Sequence, residues 1–182
     1  MSNQRSEKPK ILNNSCWNYF LKLESDFYAT ARYLGASKTN DTTCSIEFAQ
    51  QLVCINTECE AILKKISKRI DSKNPAANMG HYKQTLLKKF PKIYNEAIRI
   101  DAFGRTIQPF AGWNLTNGRL EWWNAFQDVK HQRENNIEKA NLINTLNALC
   151  ALMVLELHLY ELFARDEKTP RAKPLLLKAS SR

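Results

Sequence analysis

With 182 residues and a net charge of +9, the chain is long enough to bury one sizeable core without a metal or a disulfide. Five glycines and six prolines are too few for a many-turned sheet protein and favour helices. Cys16, Cys44, Cys54, Cys59 and Cys150 make an odd set without paired spacing, which argues against a disulfide framework and for free thiols in a reducing, cytoplasmic setting.

Residues 1–13 are polar and basic, lack the apolar run of a secretion signal, and read as a flexible leader. A first helix opens at Asn14 or Ser15, places Trp17, Phe20, Phe27 and Leu34 at helical intervals, and stops at Gly35. After a polar loop, Ser45 caps a long second helix in which Phe48, Leu52, Ile55, Cys59, Ile62, Ile66 and Ile70 recur every three or four residues. The Asn74-Pro75 pair marks its break. His81 to Phe90 reads as a short basic helix, and Pro91 opens a further helical turn from Lys92 to Ile100. Asp101 to Gly118 is irregular, with Phe103, Phe110 and Trp113 folding it back onto the bundle. A fourth long helix runs from Arg119 or Leu120 to Glu134, with a kink or cap at Asn135-Asn136. A last one spans Ile137 to Ala164.

The expectation is an all-α bundle of about five helices over residues 14–165, with roughly 65–70% helix and no sheet of consequence. Residues 166–182 then form a basic mobile tail in which only Leu175 to Leu177 are expected to dock. Within Leu142 to Phe163 the unbroken apolar run, Ala148 to Leu155, is too short to cross a bilayer, so the segment reads as the central helix of a soluble domain rather than a membrane span.

The positive charge is unevenly placed. Between Glu60 and Lys92 nine Lys/Arg face only Glu60 and Asp71. Lys64, Lys65, Lys68 and Arg69, followed by Lys88, Lys89 and Lys92, form a run able to track a phosphate backbone, so RNA is an expected partner.

The segment EWWNAFQDVKHQR (121–133) carries the densest chemistry. On a helix, Trp122, Phe126 and Val129 share an inward face, while Asn124, Gln127, Asp128 and His131 gather on another, and Lys130 and Arg133 line a third edge. Asp128 is placed to orient the His131 imidazole. Metal-free RNA cleavage needs such parts: a base for the ribose 2′-hydroxyl, an acid for the leaving oxygen, and cations for the phosphorus centre. Arg133 suits a bidentate phosphate clamp and Lys130 a point charge. No carboxylate cluster suits two metals, the Cys54/Cys59 spacing is poor for zinc, and no cofactor or metal is expected. Alternatively, Lys130, His131 and Arg133 answer the helix dipole or form a salt-bridge network with Glu58, which sits amid apolar residues of the second helix.

Ser45-Ile46-Glu47-Phe48-Ala49, Glu58, Pro109-Phe110, Trp113, Trp122-Trp123 with Val129-Lys130-His131 and Arg133, and Ala140-Asn141-Leu142 together resemble a group of prokaryotic proteins with HEPN-like helical domains. The likeness covers roughly residues 15–165. It implies an all-α, dimeric domain acting as a metal-independent endoribonuclease or RNA binder of a defence or toxin–antitoxin type system, with a homodimer partner and a small protein partner. The other outcome is a non-catalytic interaction or scaffold domain. One departure stands out. Catalytic members carry an arginine followed, after four to six residues, by the histidine, and the corresponding positions here are Asn124, Ala125 and Phe126. A homodimer is expected on a second ground, because Trp122 and Trp123 point about 100° apart on a helix, so one is left for a partner.

Overall fold

The computed structural model describes residues 15–35, 37–163 and 173–180. The leader 1–13 and the first part of the expected tail, 166–172, lie outside the described residues. Helix, α and 3-10 together, accounts for 69% of the described structure, and it includes five α-helices: α1 (Ser15–Ala31), α2 (Ile46–Ile70), α3 (Met79–Lys89), α4 (Glu121–Asn136) and α5 (Leu142–Phe163).

Local chemistry accounts for these bounds. Ser45 is extended, and its side chain accepts from the Phe48 N–H at 3.0 Å, closing the open end of α2. Glu47 lies in the first turn and Lys68 and Arg69 in the last, each opposing the local helix dipole. Asn78 does the same for α3 by accepting from the His81 N–H at 3.0 Å, so that helix opens two residues before the expected His81. Asn141 receives the Asn144 N–H at 3.0 Å and starts α5 at Leu142. The expected start at Ile137 is instead a separate 3-10 turn, Ile137–Lys139.

Helix α5 is apolar nearly all round and occupies the centre of the bundle, packed on α1, α2 and α4. Its length and composition would suffice to cross a bilayer, yet 78% of its apolar window is buried inside the protein. That is the pattern of a core helix.

Beside the expectation of no sheet of consequence stands one small sheet. Three short antiparallel strands, β1 (Ile98–Ile100), β2 (Arg105–Ile107) and β3 (Leu177–Ala179), pair in the order β2-β1-β3. Ile98 lies opposite Ile107 and Ala179, and Ile100 opposite Arg105 and Leu177. The turn between β1 and β2 needs a left-handed residue, supplied by Gly104 at φ 58°. The expected helical turn Lys92–Ile100 is thus a 3-10 turn, Ile93–Asn95, followed by strand. Residues 177–179 are a strand in the sheet rather than a mobile tail.

The loop before α4 is packed by its own side chains. Phe110 and Trp113 are buried, and the Trp122 indole donates to the Pro109 carbonyl at 2.8 Å. Two backbone segments nearly touch here: a Cβ at Gly118 would stand 1.6 Å from the Gly112 carbonyl oxygen, and one at Gly112 would stand 2.1 Å from that of Arg119. Gly118→Ala must therefore part the loop, at an expected cost of about 2–3 kcal/mol. Urea melts of that variant check this, and an unchanged midpoint would show that the loop yields freely.

Candidate nucleic-acid interface

Helix α4 is anchored at one end and open at the other. Its first half is fixed by aromatic contacts: Trp122 meets Phe110 edge-on at 5.9 Å, and Trp123 packs on Phe126 at 5.2 Å between ring centroids. Trp123 is half-buried within the chain, against Trp122 and Phe126. Two adjacent tryptophans therefore do not by themselves require a partner surface.

Val129 is the last buried residue of the helix, and Lys130 to Asn135 are all exposed. Within this stretch the backbone departs from helical geometry at Gln132, with φ −145° and ψ 60°. The kink comes three residues before the expected Asn135-Asn136, just where apolar anchoring stops. The segment Lys130-His131-Gln132-Arg133 thus forms a projecting, broken turn. Lys130 sets its ammonium 5.3 Å from the Phe126 ring centroid. Among the described residues, neither the His131 ring nor the Arg133 guanidinium makes a hydrogen bond or ion pair.

Asp128 does not serve His131. Its carboxylate accepts from the Lys139 ammonium at 2.8 Å, and the same ammonium reaches the Asn136 side-chain oxygen at 2.8 Å. The hydrogen bond to Asp128 pushes the Lys139 pKa up. This pair borders a polar cavity of about 440 Å³ that Arg119, Asn124, Gln127 and Asn144 also line, and from whose lining His131 is absent.

Glu58 is not the partner of this turn either. Its carboxylate oxygen gathers with the Cys16 thiol and the Glu156 carboxylate, all within 4.8 Å of one another. The expected network joining Glu58 to Lys130 and Arg133 is therefore replaced by a cluster where α1, α2 and α5 meet. The reason is rotation: Glu58 lies on the side of α2 that faces α1 and α5.

The basic run divides in two. On α2 the cations are engaged: Lys64 pairs with Glu60 at 2.9 Å, Lys65 reaches the Cys16 sulfur at 3.5 Å, Lys68 closes the α2 C-terminus on the Asn74 carbonyl, and Arg69 covers the Phe163 ring at 5.6 Å. Lys88, Lys89 and Lys92, at the end of α3 and just beyond it, are exposed. Lys89 and Lys92 border a cavity of about 730 Å³ floored by Phe90, Ile93, Ile98 and Leu157.

That cavity is bordered by His158, which its place in an apolar helix marks as a core histidine with a backbone or carboxylate partner. His158 is 2% exposed, stacks on Phe90 at 3.9 Å, and lies 2.8 Å from a Glu96 oxygen and 3.4 Å from a Glu161 oxygen. Neither approach is aligned as a hydrogen bond. A histidine in an apolar helix suggests a carboxylate partner, but nothing in the spacing points to Glu96. No family model matches the chain, and no significant similarity links it to a curated protein or a solved structure.

Proposed function

We propose that the chain is an HEPN-like RNA-binding domain that grips phosphate through the broken turn at the end of α4 and does not cleave RNA as a single copy. One observation carries the reading: Lys130, His131 and Arg133 project together beyond the last buried residue of α4, and among the described residues no ion-pair network holds them. Two cations and an imidazole left unneutralised on a chain of net charge +9 suit a polyanion. Lys88, Lys89 and Lys92 add exposed positive charge elsewhere on the chain.

Cleavage asks for more than these residues. An efficient acid or base is held in place by a second group, and the transition state is stabilised by fixed donors in a sheltered pocket. His131 is exposed, Asp128 is engaged by Lys139, and no arginine occupies Asn124, Ala125 or Phe126. Any cleavage by this domain would therefore need groups from a second copy. We infer a cytoplasmic setting from the free thiols.

The test is binding of a fluorescent single-stranded RNA at several salt concentrations, with EDTA present. Lys130→Ala with Arg133→Ala should weaken binding about tenfold and flatten the salt dependence by about 1.5–2 charges, leaving the melt unchanged, because both side chains are exposed. Absence of RNA binding by the wild-type chain would instead favour a protein-interaction domain. Cutting of RNA in EDTA that His131→Ala abolishes would replace binding by catalysis.

A further inference from the structure

We propose that Cys16, Glu58 and Glu156 form a site for one divalent cation of the zinc class at the junction of α1, α2 and α5. The three residues come from different helices, and one donor atom from each lies within 4.8 Å of the other two. Ligand atoms around tetrahedral zinc stand roughly 3.4–3.6 Å apart, from metal–sulfur and metal–oxygen distances of about 2.3 and 2.1 Å. Reaching that spacing asks each pair of donors to close by up to roughly 1.3 Å.

A second observation points to a ligand independently of the clustering. Glu156 is 0% exposed, and among the described residues neither of its carboxylate oxygens has a hydrogen-bond partner. A buried carboxylate is retained at a cost unless something neutralises it. Here it is aimed at a second carboxylate and a thiol, and the nearby Lys65 ammonium offsets their mutual repulsion only in part. The Lys65 ammonium, 3.5 Å from the Cys16 sulfur, approaches from the exposed side of α2. Its flexible stem can withdraw when a metal enters.

The donor set defines the ion. A thiolate selects against magnesium and calcium, which take oxygen ligands, and for zinc and its borderline neighbours. Three protein ligands leave a fourth position for water. Binding releases the thiol proton and any proton held on the carboxylates, as metal sites of this kind require. Because the donors belong to three helices, the bound ion would tie α1, the chain's first described helix, to the central pair α2 and α5. This inference does not depend on RNA binding.

Cobalt(II) titrated into the EDTA-stripped and desalted full-length protein reads the site directly. Expected are visible bands of a tetrahedral ion and a near-ultraviolet thiolate-to-cobalt band, saturating at one equivalent and displaced by zinc. Cys16→Ser should lose the near-ultraviolet band, whereas Cys54→Ser, altering another partly buried thiol, should keep it. Glu156→Gln should fold without metal at least as well as wild type yet lose the rise in melting temperature that zinc gives. Two results overturn the proposal: no cobalt band at micromolar concentration in wild-type protein, or a thiolate band that survives Cys16→Ser. Either would leave Cys16, Glu58 and Glu156 a cluster with no metal role.

Discussion

Replacing Glu24 by alanine is expected to unseat the C-terminal strand and to cost about 3–5 kcal/mol. Glu24 lies on the inner face of α1 and is 1% exposed. One carboxylate oxygen accepts the Leu175 N–H at 2.7 Å, and the other accepts those of Leu176 and Leu177, each at 2.8 Å. Three backbone donors thus converge on one buried anion, and the same contact seats Leu176 and Leu177 in the core. Alanine leaves those donors without partners, and the segment can recover them from water only by leaving. Glu24→Gln should fall between, since its single carbonyl oxygen can keep two donors while its amide group opposes the third. Deleting residues 173–182 should hurt the wild type more than the Glu24→Ala variant, because the deletion strands a buried carboxylate. Urea melts give the energies, and hydrogen exchange at Leu175 to Leu177 gives the docking. Amides that stay protected in Glu24→Ala would show that β-pairing alone holds the strand.

The second large effect is a pH dependence centred on Glu156. In the metal-free chain, burial first, and the nearby Glu58 second, push its carboxyl up from 4.5 to about 8, against a smaller opposing pull from Lys65. Between these values the unfolded chain ionises this residue and the folded chain does not. The folded state therefore binds the extra proton, and stability falls as pH rises through that window. The loss is complete once pH exceeds the folded value, and its size is on the order of 5 kcal/mol. Glutamine cannot ionise, so Glu156→Gln should match wild type near pH 4.5 and exceed it by most of that amount above pH 8. Denaturant melts in EDTA at both ends of the window measure the difference. A gap between the two proteins that does not widen with pH would mean that Glu156 is ionised in the fold.

What the sequence makes legible is what repeats or is contiguous. The spacing of Phe48 through Ile66 defines α2, and the Ser45 hydroxyl closes it as a cap of that type should. The Lys130-His131-Arg133 turn is readable as a unit because its members are neighbours. Ile98-Arg99-Ile100 and Leu177-Lys178-Ala179 are illegible as strands because three residues are too few to separate an alternating pattern from a helical one. The partners of Glu24 and Glu58 are hidden for another reason. Which residues face each other across α1, α2 and α5 follows from how the helices rotate and cross, and Glu24 meets a segment roughly 150 residues away. The kink at Gln132 has no glycine or proline to announce it, and its position follows from where burial ends.

Strand β3 carries a consequence for how copies of the chain meet. Its partners, the outer edge of β1 and the Glu24 carboxylate, lie far from it in sequence. An edge closed by a segment distant in sequence can accept an identical strand from another molecule in the same register, with the same three amide donors. Conditions that loosen the Leu175–Leu177 anchor at high protein concentration therefore favour reciprocal strand exchange. Dilution reverses the product only as fast as the anchor opens.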